Sequence, residues 1–200
     1  RKMFNLDRKE LVIALLPGSR MGELKAHTDT LLETAQNLLE VHPDTKFLMP
    51  ATNDNNLHFI KSRIRNNPTK NLKLIKGKVD EILNSANIAI AASGTASLQI
   101  ALHKKPMIII YKGSWISYFI WKMVRLIPNV SLPNILLNQN FVPEMLQHRA
   151  TPNLLSEKAC EIIKDKKYLI KIEFKFNKLH KDLKKNTSSL IFKIIKPYLK

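Results

Sequence analysis

The chain has 200 residues, 44% of them hydrophobic, which is enough for one domain with a full core or two small ones and argues against a disordered polymer. Its 33 Lys+Arg against 16 Asp+Glu give a formal net charge of +17. That excess favours anionic partners, namely nucleic acid, an anionic membrane surface or phosphorylated ligands, although a lysine-rich, AT-rich coding background produces the same excess with no partner at all. The single cysteine, Cys160, excludes an intrachain disulfide and points to a reducing, cytoplasmic compartment.

The opening residues show no basic start, apolar stretch and small-residue cleavage site of a signal peptide, and a chain that begins with Arg1 reads as a piece of something longer. "LVIALL" (Leu11 to Leu16) is a buried-strand run ended by Pro17-Gly18. From Gly22 to Val41, Leu24, Leu31, Leu32, Ala35, Leu38 and Leu39 recur at helical spacing. There follow "KFLMP" as a strand, "NNLHFIKSRI" as a helix, "LKLI" as a strand and "VDEILNSA" as a short helix. "IAIAA", "TASLQIALHK" and "PMIIIY" continue the alternation as strand, helix and strand. Short apolar runs alternating with amphipathic helices predict βαβ units: an α/β fold with a Rossmann-like parallel sheet and helices on both faces.

After Lys112 the pattern changes. "SWISYFIWKMVRLI" places Ile116, Phe119, Ile120, Met123, Val124 and Ile127 on one helical face, with Trp115, Tyr118, Trp121, Lys122 and Arg125 at its margins and back. It is too short and too charged to span a bilayer, and suits either a membrane interface or an ordinary core helix with a wet edge. "PNVSLPNILLNQNFVPEMLQHRATP" is loop-like and dense in Pro and Asn. From Asn153 onward the pattern is helical and increasingly Lys-rich, although "YLIKIEFKF" also passes for a strand. The expected division is a ligand-binding domain over residues 1–155 and a basic helical tail over 156–200 that packs on that domain or on a missing part of a longer protein.

Three corners on this sheet are candidates for holding phosphate. In "LLPGSRMGE", Gly18 permits a tight turn, Ser19 offers a capping hydroxyl, and Arg20 adds a guanidinium at a helix start, where backbone N–H groups attract anions. In "ASGTAS", Ser93 and Thr95 are candidate caps and Gly94 lets a ligand approach the backbone. Lys112 ends the next strand, and Asn134, Glu144 and Gln147 are polar groups among apolar neighbours in the segment beyond it. Taken alone, each corner reads equally well as a capped turn, and the polar trio as loop stabilisation. No GxxxxGK[ST], GxGxxG, Asp-x-Asp, HExxH or GxSxG occurs, so nothing supports a P-loop, a dinucleotide fingerprint, a metal–diphosphate clamp, a zinc site or a hydrolase elbow.

In order and spacing, "LLPGSRMGEL", "AASGTASLQIAL", "PMIIIYK", "VSLPNILLNQNFVPEMLQ" and "ATP" resemble the carboxyl-terminal half of lipid-A-disaccharide synthase, over roughly Leu11 to Ala159. The resemblance implies a GT-B-type carboxyl-terminal domain that holds the nucleotide of a sugar donor without a metal or other cofactor. It implies inverting transfer from UDP-2,3-diacylglucosamine to 2,3-diacylglucosamine 1-phosphate, on the inner face of the bacterial inner membrane, where the enzyme sits peripherally. On these positions, Gly18, Ser19, Arg20, Ser93, Gly94, Thr95, Gln99, Lys112, Asn134, Glu144 and Gln147 are expected to bind the donor, with Arg20 stabilising the departing diphosphate. Gln99 departs from the Glu usual there, exchanging a carboxylate for one acceptor oxygen and two donors. The family is about twice as long, so the acceptor site and general base belong to an amino-terminal half missing here, and the chain alone is expected to bind better than it catalyses. A homodimer and acyl-chain contacts near Trp115–Trp121 are further expectations. The other reading is a non-catalytic basic module that binds UDP, RNA or anionic membrane, without the aromatic interleaving of a specific nucleic-acid binder.

Overall fold

The computed structural model describes residues 1–113, 129–184, 191–192 and 195–196. The helix expected around Trp115–Trp121 lies outside the described residues. Six strands form one sheet: β1 (Val12–Leu16), β2 (Lys46–Ala51), β3 (Leu72–Lys76), β4 (Ile88–Ala92), β5 (Met107–Tyr111) and β6 (Glu144–Leu146). They run in the order β3-β2-β1-β4-β5-β6, and every pairing is parallel.

The period of two along each strand sends side chains to two separate cores. Ile13, Leu15, Ile88, Ile90, Ile108 and Ile110 face one side, where they meet helices α1 (Met21–Val41), α2 (Asp54–Asn66) and α6 (Pro152–Lys164). Val12, Ala14, Leu16, Ala89, Ala91, Met107 and Ile109 face the other. There they meet α3 (Val79–Ser85), α4 (Thr95–Leu102) and α7 (Lys166–Leu183). The alanines of β4 on this second face leave room for the helices above them. A short α5 (Leu132–Leu136) lies between β5 and β6.

One expectation changes. β6 and α5 were hidden in a stretch that reads as loop, because three- and five-residue elements carry too little periodicity to show. The helical pattern expected from Asn153 onward holds through "YLIKIEFKF": Asp165 caps α7 by accepting from the Tyr168 N–H, and Ile172, Phe176 and Leu179 are buried at helical spacing. The expected division at residue 155 falls inside α6, whose Leu155, Ala159 and Ile162 share one core with the sheet.

The register sets up the site. Ile13 pairs with Ile88 and Leu16 with Ala91, so β1 and β4 end level and their outgoing loops share one rim. Between β1 and β4 the winding reverses direction, and ligands of open α/β sheets collect in the crevice outside such a switch point.

Candidate functional site

A crevice of about 400 Å³ opens at this switch point. Gly18, Ser19 and Arg20 line one wall, and Ser93, Gly94, Thr95 and Gln99 line the other. The corner after β1 needs its glycine. Gly18 has φ +114°, and a Cβ there would stand 2.4 Å from Glu23 Oε2 and 2.5 Å from Glu23 Cβ. The expected Ser19 cap is absent; Glu23, at the third position of α1, accepts instead from the N–H groups of Ser19 (2.8 Å) and Arg20 (3.2 Å). The start of α1 thus holds its own carboxylate. The Arg20 side chain is 87% exposed, with its guanidinium 3.6 Å from Glu23 Oε1, and it remains free to turn toward a ligand. Asn56 of α2 braces the corner by donating to Ser19 O at 2.8 Å.

The opposite wall is built differently. Gly94 caps α4 at φ 150°, ψ −158°, a region only glycine adopts without strain, and a Cβ there would meet nothing within 4 Å. Neither Ser93 nor Thr95 caps the helix: the Ser93 hydroxyl donates to Val130 O at 3.0 Å, and among the described residues no side chain bonds the N–H groups of the first turn. The start of α4 is therefore open, while that of α1 is filled. A helix dipole contributes roughly 0.3–1 kcal/mol per charge, less than direct N–H and guanidinium hydrogen bonds to an anion would.

The other expected site residues do not line this crevice. Lys112 ends β5, but its Nζ donates to Thr30 Oγ1 at 2.8 Å and its N–H to His27 Nε2 at 3.0 Å. Asn134 is fully buried, with its amide oxygen accepting from Phe141 N and Val142 N and its Nδ2 donating to Val142 O and Glu144 Oε1. No hydrogen-bonding capacity is left for a ligand. Glu144 also accepts from Val130 N, Ser131 N and Ser131 Oγ, and Gln147 exchanges two bonds with the Gly113 backbone. Asn134 and Glu144 thus shape the loop beside α4, to which Leu132 N is tied through Ser97 Oγ at 3.3 Å.

Sequence reading missed Glu23, His27 and Asp80. Glu23 was visible in principle as an acidic third helical residue. His27 and Asp80 gave no local signal, because their partners come from distant segments. Among the described residues no three His, Cys, Asp or Glu cluster in a metal-holding arrangement, and no helix is long and apolar enough to cross a membrane.

Lipid-A-disaccharide synthase of Dechloromonas aromatica is 38% identical over 192 residues, covering 94% of this chain and 50% of its own length. That of Methylobacillus flagellatus is 33% identical over 202 residues, covering 100% and 53%. The chain spans about half the length of these curated relatives. Among solved structures, UDP-GlcNAc 2-epimerase from Neisseria meningitidis, bound to UDP-GlcNAc, superposes with TM-score 0.60 at 14% identity, over 93% of this chain and 48% of its own. The C-terminal CMP-Kdo binding domain of WaaA from Acinetobacter baumannii superposes with TM-score 0.58 at 8% identity, over 89% and 91%. At such identities the likeness is one of fold. The sequence profile described as lipid-A-disaccharide synthetase, however, matches residues 1–195, and the chain belongs to that family.

Proposed function

We propose that this chain is the donor-binding half of a lipid-A-disaccharide synthase and that the switch-point crevice holds the diphosphate of UDP-2,3-diacylglucosamine. The observation that carries this reading is the uncapped start of α4, which faces Arg20 across one crevice. The UDP-GlcNAc held by the epimerase of the same fold is in keeping with it.

When the glycosidic C–O bond breaks, negative charge grows on the departing phosphate. The amides at Gly94 to Ala96 and the Arg20 guanidinium stabilise that charge in place before the reaction begins. The 6-hydroxyl of 2,3-diacylglucosamine 1-phosphate attacks from the opposite face with inversion, giving lipid A disaccharide 1-phosphate and UDP. Acceptor site and general base belong to the amino-terminal half, so this chain alone binds without turning over. It works peripherally at the cytoplasmic face of the inner membrane.

Thermal unfolding with and without UDP tests the reading. UDP at about a hundred times its Kd adds about 2.7 kcal/mol, which for a chain of this size raises Tm by about 5–10 °C. Arg20→Ala is expected to remove most of that rise while leaving the ligand-free Tm unchanged, because its side chain is exposed. A wild-type Tm indifferent to millimolar UDP would overturn the assignment.

A further inference from the structure

Gln99 on α4 and His103, the residue that ends that helix one turn later, both reach the same oxygen on α3. Gln99 Nε2 donates to Asp80 Oδ1 at 2.8 Å, and His103 Nε2 stands 2.8 Å from that atom. The second ring nitrogen of His103 is 3.0 Å from Asn84 Oδ1. Hydrogen bonds from His103 first and Gln99 second hold the Asp80 carboxyl below the usual carboxylate range, so it is ionised at neutral pH.

An ionised carboxylate accepts hydrogen bonds and donates none. Only the NH₂ end of the Gln99 amide can face it, and the amide oxygen must turn the other way. Gln99 also lines the crevice, and its Oε1 has no partner among the described residues. A carboxylate at position 99 would meet Asp80 as a like charge, so the amide here and the acid on α3 are matched.

We infer that Asp80 is a positioning residue that fixes the Gln99 amide with its oxygen toward the crevice, making it an acceptor for a hydroxyl of the bound ligand. The inference rests on the nucleotide reading above, in which that hydroxyl is one of the ribose pair of UDP. Asp80 touches no ligand itself; it acts through Gln99.

Calorimetric titration of the full chain with UDP, its 2′-deoxy and 3′-deoxy analogues, and UMP tests this. Wild type is expected to prefer UDP over one deoxy analogue by about three- to tenfold, the worth of one hydrogen bond. Asp80→Ala is expected to bring that ratio to about one while keeping the ratio of UDP to UMP, which reports the diphosphate seat. Gln99→Leu should abolish the preference equally, and adding Asp80→Ala should change nothing further, the signature of one residue acting through another. An unchanged preference in Asp80→Ala, or in Gln99→Leu should the former not fold, would overturn this inference and leave the nucleotide reading standing. Failure of the wild-type chain to bind UDP would overturn both.

Discussion

His27 is a buried strut between two corners of the rim. Its Nδ1 lies 3.2 Å from Pro17 O, in the turn after β1, and its Nε2 accepts the Lys112 N–H at the end of β5. Pro17 O can only accept and Lys112 N can only donate, so the ring is neutral with its proton on Nδ1. Burial lowers its pKa, and the Lys112 charge adds to that effect. The sign of the pH dependence follows. The unfolded chain binds the proton near its ordinary pKa of 6.5, and the folded chain binds it only at lower pH. The His27 contribution is therefore complete above about pH 6.5 and is lost as pH falls below it. Urea unfolding at pH 7.5 and 5.5 should show wild type losing more stability than His27→Ala over that interval; parallel losses would exclude His27 as the acid-sensitive group. At pH 7.5 the substitution should itself cost about 2–4 kcal/mol, because it strands a buried carbonyl and a half-buried N–H.

Among the elements, α7 shows how far the basic tail belongs to the domain. Phe176 packs against Phe141 with ring centroids 5.7 Å apart at 58°, and Tyr168 Oη donates to Phe141 O at 3.0 Å. Lys175 Nζ lies 4.9 Å above the Phe141 ring. The helix thus clamps the loop that leads into β6. Phe176→Ala is expected to destabilise the whole chain by about 3–5 kcal/mol in a single urea transition, as a core truncation does; a separate early transition would make α7 an independent unit. The strands β1, β4 and β5 were legible because a parallel strand buried on both faces must read as an unbroken apolar run. The turns at Pro17-Gly18 and Ser93-Gly94 were legible because their backbone demands glycine. The function of Asn134 and Glu144 was not: a polar side chain among apolar neighbours looks the same whether it binds a ligand or its own loop, and only the fold brings Val130, Ser131 and Glu144 together. "YLIKIEFKF" stayed open to a strand reading because its alternating apolar and charged residues also fit a period of two, while the burial that decides for the expected helix, at Ile172, Phe176 and Leu179, comes from partners elsewhere in the chain.

At the scale of the molecule, part of the formal charge of +17 stands beside exposed apolar side chains on one helix. The outward face of α7 carries Lys167, Lys171 and Lys178 beside Ile170 and Phe174, which are 70% and 72% exposed. Large apolar side chains ringed by lysines suit a helix lying on an anionic bilayer, consistent with the peripheral location proposed above. Two terms of different character would contribute. Each lysine near the surface adds about 1 kcal/mol and is screened as the Debye length shrinks toward about 8 Å at 0.15 M salt. Inserting Ile170 and Phe174 adds about 1.5–3 kcal/mol each, with no dependence on salt. Sedimentation with phosphatidylglycerol vesicles should therefore weaken from 0.02 to 0.15 M NaCl without vanishing. Ile170→Glu with Phe174→Glu should lower binding at both salt concentrations, leaving Tm and the UDP response unchanged because neither side chain is in the core. Replacing the three lysines by Gln should remove the salt-dependent part alone. Equal binding to neutral phosphatidylcholine vesicles, or binding untouched by the paired glutamates, would overturn the assignment of this face to a membrane contact.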